Sequence, residues 1–279
     1  MLLMPAWSAH GNALGVKLVN VFPGNTSRGL PAVQGLYVLM DGRTGAPVAT
    51  MDGARLTLWR TAAASALAAR FLARQDASRL LMVGAGALAP FLIRAHASVR
   101  PIRRIQIWNR SAAGAEKVAL QLRADGLDVC VAADLEKAVR EADVISCATL
   151  SADALIAGAW LQPGQHVDLV GAFTMGMREV DDAALHRARV FVDTPAALSE
   201  GGDVAIAIAS GMLKREAVAG DFATLCAGAQ GREADKDVTI FKAVGAAIED
   251  LACAVEIRRL AELRPKTAIL GPHDGSRPS

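Results

Sequence analysis

The sequence predicts an α/β protein built on a doubly wound parallel sheet, and three observations support this. Between residues 79 and 193, short apolar runs alternate with segments of helical periodicity, which is typical of β-α-β crossovers. The run at 80–83 leads into Gly-x-Gly-x-x-Ala and an Ala-rich segment, which indicates strand, tight turn and helix. The composition is 52% hydrophobic but only 4% aromatic. A chain with so few bulky rings suits helices packed closely on such a sheet.

A small antiparallel sheet and one helix are expected before this alternation begins. Strand-like runs lie at 2–4, 15–22, 35–40 and 48–51. Pro23, Gly24 and Asn25 supply strong turn chemistry after the second run, and the last two runs form a hairpin with a longer loop. An Ala- and Leu-rich helix is expected over 56–73.

From residue 79 onward, the pattern predicts strands and helices in turn. The predicted strands cover 80–83, 104–108, 127–132, 143–147, 166–170 and 189–193. Helices between them are predicted at 87–99, 112–124 and 134–141, and further helical segments at 204–211, 213–218 and 242–263. The polar, Gly/Pro-rich residues 264–279 are expected to be disordered. A doubly wound sheet binds its ligands at the carboxyl ends of its strands.

The charge, hydropathy and cysteine pattern exclude several classes of protein. A formal net charge of +2 over 279 residues gives no strong field for nucleic acid or a membrane surface. No apolar run approaches bilayer length, and the first four residues lack the basic start and long apolar core of a signal peptide. The four cysteines and five histidines are scattered without metal-ligand spacing. We therefore expect a cytoplasmic protein with reduced, buried cysteines, no metal, and no nucleic-acid or membrane partner.

The turn after the strand at 80–83 has the chemistry of a pyrophosphate site. Gly84 makes the tight turn, Gly86 lets the backbone approach the phosphates, and Ala89 takes the position where helix and strand pack closely. The following helix points its unpaired N–H groups and positive dipole end at the same place. The expected cofactor-binding residues of this turn are Gly84, Ala85, Gly86, Ala87, Leu88 and Ala89.

The residues after the next strand favour NADP(H) over NAD(H). Roughly twenty residues past the glycines, an NAD enzyme carries Asp or Glu for the ribose hydroxyls. Here the sequence has Asn109, Arg110 and Ser111, with Lys117 one or two helical turns later. A guanidinium and a hydroxyl bind the 2′-phosphate that a carboxylate would repel. The alternative is that Arg110 simply lies in solvent at a turn.

Two cations are the first candidates for substrate chemistry. Lys17 lies inside an apolar strand and either faces solvent, which periodicity favours, or occupies a pocket where burial lowers its pKa and suits it to proton transfer. Arg60, early in the first predicted helix, can grip a substrate carboxylate bidentately or extend to the surface. The carboxylates Glu249, Asp250 and Asp203 are explained equally well as helix-surface or capping groups.

Five spaced blocks occur in an order that is far more specific than the glycine turn. They are Gly15-Val16-Lys17-Leu18-Val19 with Phe22-Pro23-Gly24-Asn25; Met51-Asp52-Gly53 through Leu58-Trp59-Arg60-Thr61-Ala62-Ala63-Ala64-Ser65; Val83-Gly84-Ala85-Gly86-Ala87 leading into Ile107-Trp108-Asn109-Arg110-Ser111; Val170-Gly171-Ala172-Phe173 with Met177-Arg178-Glu179-Val180-Asp181; and Thr239-Ile240-Phe241-Lys242-Ala243-Val244-Gly245 with Glu249-Asp250-Leu251. Together they resemble the ornithine cyclodeaminase/mu-crystallin family over nearly the whole chain.

The resemblance implies a homodimer with a Rossmann-type domain inserted in a smaller α+β domain. Residues 1–74 and 246–279 would form the substrate-binding and dimerisation domain, and residues 75–245 the NAD(P)-binding domain. Lys17 matches the family's catalytic lysine and Arg60 its carboxylate-binding arginine. Substrate contacts are implied at Lys17, Arg60 and Val244. Cofactor contacts outside the glycine turn are implied at Arg60, Thr61, Asn109, Arg110, Ser111, Thr149, Val170, Val244 and Gly245.

Two departures from the family pattern narrow the expected reaction. Phe173 stands where the cyclodeaminases carry a catalytic Asp, and a phenyl ring cannot accept a proton. Relatives also have an extra N-terminal segment with another carboxylate-binding arginine, and this chain is expected to begin after it, through a misplaced start or an altered pocket. We therefore expect an NADPH-dependent reductase of a cyclic ketimine acid, such as Δ1-pyrroline-2-carboxylate or Δ1-piperideine-2-carboxylate.

Three other functions use the same residues. An alanine or other amino-acid dehydrogenase would need the same carboxylate clamp and nicotinamide. An ornithine cyclodeaminase would need another carboxylate, such as Asp203, in place of the absent aspartate. A mu-crystallin-like protein would bind a small ligand with NADPH without catalysis.

Overall fold

The computed structural model describes residues 1–8 and 12–263, whose strands form one four-stranded and one eight-stranded sheet. Helices accompany both sheets, and the larger sheet is parallel throughout. The predicted class, a doubly wound parallel sheet with a smaller α+β unit, is therefore confirmed. The tail expected to be disordered, 264–279, lies outside the described residues, as do His10 and His273.

The smaller sheet is antiparallel, and its strands are neighbours in chain order. They are β1 (Leu2–Ser8), β2 (Ala13–Val21), β3 (Val33–Asp41) and β4 (Pro47–Asp52). Alternate residues of β2 are buried, and Lys17 is one of them with 1% of its surface exposed. The solvent-facing orientation that periodicity favoured for Lys17 is therefore wrong, because the lysine lies on the inward face of the strand.

Helix α1 (Gly53–Leu72) connects the two sheets. Asp52 caps its start by accepting hydrogen bonds from the N–H groups of Ala54 and Arg55 at 2.9 and 3.0 Å. At its other end, the guanidinium of Arg100 donates to three carbonyl oxygens of the last turn and cap, at 2.7–2.9 Å. Since both ends are held, the side chains along α1 keep fixed directions relative to both sheets.

The larger sheet contains eight parallel strands. In chain order they are β5 (Arg79–Val83), β6 (Arg104–Trp108), β7 (Val129–Val131), β8 (Val144–Cys147), β9 (His166–Leu169), β10 (Ala188–Val192), β11 (Val218–Asp221) and β12 (Val238–Lys242). The spatial order is β11-β10-β12-β9-β8-β5-β6-β7. The chain moves outward from β5 to β7 and then returns to the other side of β5 with β8. The cleft for a ligand therefore lies beyond the carboxyl ends of β5 and β8.

Helices cover both faces of this sheet. They are α2 (Ala89–Val99), α3 (Ala112–Ala124), α4 (Leu135–Glu141), α5 (Asp182–Arg187), α6 (Gly202–Ala209) and α7 (Phe222–Cys226). Alternate residues of β5 pack into two different hydrophobic clusters, one with Leu81 and the other with Leu80. The last helix, α8 (Ala247–Glu262), returns to pack on α1 and the smaller sheet.

The C-terminal third differs from the sequence prediction. The segment 213–218 is not a helix but a short 3-10 turn, Arg215–Ala217, that leads into β11. The helix expected over 242–263 begins only at Ala247, and the preceding residues form β12 and a turn. All five residues of β12 are buried, and Gly245 has a φ of +87°, which a helix cannot accommodate. A fully buried strand has no alternating pattern that could have separated it from a helix.

Among residues 1–8 and 12–263, no helix is both long and apolar enough to cross a membrane. The four cysteines are free, and Cys147 is buried as expected. Cys226 is exposed, so the expectation of burial is wrong for that residue, which ends a five-residue surface helix. Of the described histidines, His96 and His166 are buried with polar partners, Asp168 and Thr239 respectively.

Candidate dinucleotide and substrate site

The glycine turn between β5 and α2 has the shape that a pyrophosphate site requires. Gly84 has a φ of +110°, and a Cβ added to it would lie 2.6 Å from the carbonyl oxygen of Ala148. A Cβ added to Gly86 would meet no atom within 4 Å, so the backbone there is open to a ligand. No side chain caps α2 at Leu88. The residues of the turn therefore fit a dinucleotide, with a free helix N-terminus facing its phosphates.

Two substitutions in this turn separate folding from binding. Gly84→Ala is expected to lower the free energy of unfolding by about 2 kcal/mol, because alanine is strained at this φ and meets the neighbouring backbone. Gly86→Ala is expected to leave the melting temperature unchanged and to weaken dinucleotide binding at least about tenfold, since its methyl occupies the space of the phosphates. Thermal unfolding and fluorescence titration with NADH and NADPH measure the two effects. Normal affinity in Gly86→Ala would contradict the assignment.

The loop after β6 contains the residues predicted to contact the adenosine ribose. Asn109 donates from its side-chain amide to the carbonyl oxygen of Ser111 at 3.0 Å, which holds the loop in shape. Arg110 is exposed and has no ion-pair partner within the described part of the chain. Lys117, on α3, lines a groove of about 1040 Å³ together with the glycine turn. Lys117 therefore shares a groove with the glycine turn, and the exposed Arg110 lies in the loop that precedes the same helix.

Lys17 and Arg60 meet two carboxylates of α8, and these four residues are termed the cation site. The Nζ of Lys17 lies 2.9 and 2.8 Å from the two oxygens of Asp250, and both side chains are almost fully buried. Arg60 Nη1 donates to Glu249 Oε2 at 3.0 Å, and its Nε lies 3.3 Å from Asp250 Oδ1. The surface explanation considered for Glu249 and Asp250 is therefore wrong, because α8 turns this face toward the smaller sheet and α1.

The turn after β12 lies directly against the guanidinium of Arg60. A Cβ added to Gly245 would lie 2.4 Å from Arg60 Nη1, so only glycine leaves room for this close approach. The backbone N–H groups of Val244 and Gly245 both donate to Asp193 Oδ2, at 2.8 and 2.6 Å. Asp193, which the sequence did not single out, thus fixes the turn on which Arg60 rests.

Burial and charge shift the pKa values of this region. Burial lowers the pKa of the Lys17 amine, and the positive charge of Arg60 adds to this, while Asp250 opposes it. Burial likewise raises the pKa values of the Glu249 and Asp193 carboxyls. Burial also raises the pKa of Tyr37, the cross-strand neighbour of Lys17, to about 12. The site therefore holds an amine that releases its proton more readily than an ordinary lysine.

The remaining predicted residues lie along the carboxyl ends of the central strands or in α1. Thr149 follows β8 and adjoins the glycine turn, since a Cβ added to Gly84 would lie 3.2 Å from its Cγ2. Val170 follows β9, and its N–H donates to the carbonyl oxygen of Cys147 at 2.8 Å. Thr61 is buried in α1, next to Arg60.

The sequence did not predict that Asp203, Glu179 and Lys242 are buried together. Asp203 is fully buried and accepts the N–H groups of Glu179 and Val180 at 2.7 and 3.0 Å. It also lies 3.3 Å from Lys242, so it is not a surface group. The only local signal was Lys242 itself, a lysine at the end of an otherwise apolar run.

A dinucleotide turn at the switch point of a doubly wound sheet, with a buried lysine and an arginine on a second unit, defines a class of nicotinamide-dependent oxidoreductases. The chain belongs to the ornithine cyclodeaminase/mu-crystallin family, whose model matches residues 1–262. It is an oxidoreductase of this family, as its reductase relatives and their NAD-bound structural neighbours support. The family resemblance of the five sequence blocks is thereby confirmed.

Three relatives illustrate the similarity. The Δ1-pyrroline-2-carboxylate reductase of Paracoccus denitrificans is 41% identical over 263 residues, which are 93% of this chain and 83% of that protein. The structure of the Thermococcus litoralis Δ1-pyrroline-2-carboxylate reductase with NADH and L-proline matches with a TM-score of 0.85 and 30% identity, covering 94% of this chain and 87% of that one. An archaeal alanine dehydrogenase dimer with bound NAD matches with a TM-score of 0.87 and 33% identity, covering 93% and 81%.

Proposed function

We propose that this protein reduces a cyclic imino acid, Δ1-pyrroline-2-carboxylate or Δ1-piperideine-2-carboxylate, to the cyclic amino acid with NADPH. The observation that carries the proposal is the cation site, in which buried Lys17 and partly buried Arg60 meet the carboxylates of α8, and Arg60 also lies against the turn after β12. The names of the Paracoccus and Thermococcus relatives support the substrate class.

Arg60 binds the carboxylate of the substrate in this proposal. Its Nη1 contacts Glu249, whereas its Nη2 has no hydrogen-bond partner within the described part of the chain. A planar guanidinium can bind both oxygens of a carboxylate, which fixes the plane of the small ring. Contact with Gly245 keeps the guanidinium from turning. The substrate would thus be held with its C=N bond at the carboxyl edge of the larger sheet, where hydride transfer becomes effectively intramolecular.

Lys17 supplies the proton. When bound, the reduced dinucleotide supplies the hydride that C2 of the imine accepts, and the ring nitrogen then needs one proton to become the amine. Lys17 is the residue of the cation site that can donate one, and its lowered pKa favours the transfer. Asp250, which accepts from Lys17 at 2.9 Å, keeps the amine in place.

The residues near Phe173 favour a reductase over a cyclodeaminase. Phe173 is 45% exposed and carries no proton acceptor. Asp203, the carboxylate considered as a substitute for the missing aspartate, is fully buried and accepts two backbone N–H groups. It is therefore not free to receive a second amine from ornithine.

Amino-acid dehydrogenation is the second candidate, because the alanine dehydrogenase structure matches as well as the reductase structure. One assay panel distinguishes the two. The two cyclic imino acids are each incubated with NADH and with NADPH. Alanine and ornithine are each incubated with NAD+ and with NADP+. We expect substrate-dependent NADPH oxidation with a cyclic imino acid. Turnover of alanine alone would favour the dehydrogenase, and ammonia release from ornithine without net redox change would favour the cyclodeaminase.

Arg110 sets the preference for NADPH in this proposal. Arg110→Ala is expected to lower the preference for NADPH over NADH by about 10- to 100-fold, because charge-assisted hydrogen bonds contribute roughly 1.5–3 kcal/mol. The ratio of kcat/KM for the two dinucleotides measures it. Arg104→Ala is the matched control, since Arg104 is exposed at the start of β6, whereas Arg110 lies in the loop after the end of that strand. A wild-type enzyme that prefers NADH would overturn this assignment.

We also propose that the protein is a homodimer that pairs through the smaller sheet. The outward face of this sheet carries exposed apolar side chains on three neighbouring strands, namely Leu3, Trp7, Leu18 and Leu36. Contiguous exposed apolar surface of this kind commonly marks an interface. The alanine dehydrogenase that matches this chain is itself described as a dimer.

A further inference from the structure

A second buried charge cluster lies beneath the loops that follow β8 and β9. It consists of Glu179, Lys242 and Asp203, each with 0% of its surface exposed. Lys242 donates to the carbonyl oxygen of Gly171, and its Nζ lies 3.3 Å from Asp203 Oδ2. The cluster is separate from both the glycine turn and the cation site, and the proposed mechanism does not use it.

Thr149 links this cluster to the dinucleotide cleft. Glu179 Oε1 accepts hydrogen bonds from both the backbone N–H and the hydroxyl of Thr149, at 2.7 and 2.9 Å. The other oxygen, Oε2, is buried and has no hydrogen-bond partner among the described residues. Thr149 adjoins Gly84 and follows β8, which lies on the other side of β5 from the strand β6 that precedes Arg110. A residue there faces the nicotinamide half of a dinucleotide bound across the switch point.

Gly171 shows how closely the carboxylate is held. A Cβ added to Gly171 would lie 2.3 Å from both Glu179 Oε1 and the carbonyl oxygen of Thr149. Only glycine therefore allows the loop after β9 to cross over the carboxylate. The carboxylate is thus packed against this loop while it accepts the hydrogen bonds of Thr149.

The charge on Glu179 changes near neutral pH. Burial raises the pKa of this carboxyl to about 7; the negative charge of Asp203 adds to the effect, whereas the ammonium of Lys242 opposes it. The Cys147 thiol at the end of β8 is the other ionisable group that interacts with it, and burial raises the pKa of that thiol as well. Glu179 is therefore ionised above about pH 7 and neutral below it.

We propose that Glu179 is a positioning residue for the nicotinamide ring. It accepts the hydrogen bond that the Thr149 hydroxyl donates, and the hydroxyl oxygen is left to accept a hydrogen bond from the NH2 of the ring's carboxamide. A hydroxyl has one proton and two lone pairs, so Thr149 can only accept further hydrogen bonds once it donates to Glu179. One lone pair receives a long hydrogen bond of 3.5 Å from the Ser151 N–H, and the other is open to the carboxamide. Of the two ends of a carboxamide, only the NH2 matches. This hydrogen bond prevents the nicotinamide ring from rotating by 180°, so the same face of the ring always points toward the substrate.

This inference rests on the dinucleotide binding in the proposed function, but not on the imine substrate or the 2′-phosphate. Its test compares dissociation constants, measured by calorimetry, for NADH and two analogues. The reduced thionicotinamide analogue keeps the NH2, whereas the reduced 3-acetylpyridine analogue has a methyl group in its place. We expect the wild type to bind the acetyl analogue about tenfold more weakly than the two NH2-bearing ligands, as the loss of one hydrogen bond predicts.

The variants separate positioning from a merely structural role. Thr149→Val and Glu179→Ala are expected to lose the preference for NH2-bearing ligands, whereas Glu179→Gln keeps it because the amide oxygen accepts the same hydroxyl proton. In the wild type the preference is expected to persist below about pH 7, because the added proton goes to the unpartnered Oε2 and leaves Oε1 to accept the same hydroxyl. In Glu179→Gln it stays constant with pH. The control Glu200→Gln, an exposed carboxylate before α6, behaves as the wild type.

Two results would overturn the inference: an undiminished preference in Thr149→Val or Glu179→Ala, or a lost preference in Glu179→Gln. If the wild type bound no reduced dinucleotide, the dinucleotide role in the proposed function would fail together with the inference. Loss of imine reduction alone, with the binding preferences intact, would overturn the proposed substrate and leave Glu179 in its role.

Discussion

Replacing Arg60 by alanine is expected to raise KM for a cyclic imino acid by about 100-fold or more. Two charge-assisted hydrogen bonds to the carboxylate are lost, each contributing about 1.5–3 kcal/mol, and every 1.4 kcal/mol is a tenfold change in binding. The effect on kcat is smaller, because the lost contacts hold the substrate already in its ground state. Steady-state kinetics with varied imino acid and saturating dinucleotide separate KM from kcat.

The partners of Arg60 make a stability control necessary. Arg60→Ala leaves Glu249 and Asp250 without this cation in a buried setting, which lowers the free energy of unfolding. Arg60→Lys retains the charge but not the planar fork, so it is expected to fold better and still to show a raised KM. Arg70→Ala, an exposed arginine in the last turn of the same helix, is the matched control. An unchanged KM in both Arg60 variants would contradict the proposed role of Arg60 in binding the substrate carboxylate.

Replacing Lys17 by methionine is expected to lower kcat for imine reduction by about 100-fold or more, the range of a lost general acid. Methionine fills similar space on the inward face of β2 but cannot donate a proton. In the wild type, kcat/KM is expected to fall as pH rises through the pKa of the buried amine, which lies below 10.5. This basic limb should disappear in the variant, because the group that titrates there is gone.

The buried carboxylate of Asp250 makes a stability control necessary for Lys17→Met. It is fully buried, so removal of its partner is expected to cost stability of about 3–5 kcal/mol. The double variant Lys17→Met, Asp250→Asn removes both charges and should recover part of this stability but none of the activity. Lys137→Met, on the exposed surface of α4, is the control. If Lys17→Met kept full kcat and only raised KM, Lys17 would not be the proton donor. Its amine would then only bind the substrate carboxylate through its charge.

Local features of the sequence predicted the central part of the fold well. The strand, turn and helix around Gly84 were expected from contiguous residues, and the structure contains them as β5, the turn and α2. The C-terminal third was predicted less well, because Asp193 holds the N–H groups of Val244 and Gly245 and so ends any helix there. That interaction joins residues about fifty positions apart, so no local pattern records it.

The cation site, too, could be predicted from the sequence only in part. The apolar run that forms β2 was evident in the sequence, and its periodicity favoured solvent for Lys17. A buried lysine is too costly to expect unless its partner is known. That partner, Asp250, lies 233 residues away, and Glu249 lies 189 residues from Arg60. Glu179 and Lys242 lie in two of the five sequence blocks, and Asp203 was considered as a capping group. No local pattern indicated that the three are buried together.

The sequence by itself determined the α/β class, the dinucleotide turn and the family, since each depends on short segments whose residues act on their neighbours. The tertiary structure alone decided which charges are buried, which carboxylate pairs with which cation, and therefore which amine has a lowered pKa. The physical reason is that the energy of a buried charge depends on the groups that surround it after folding, and helix α8 supplies those groups only when it packs against α1 and β2.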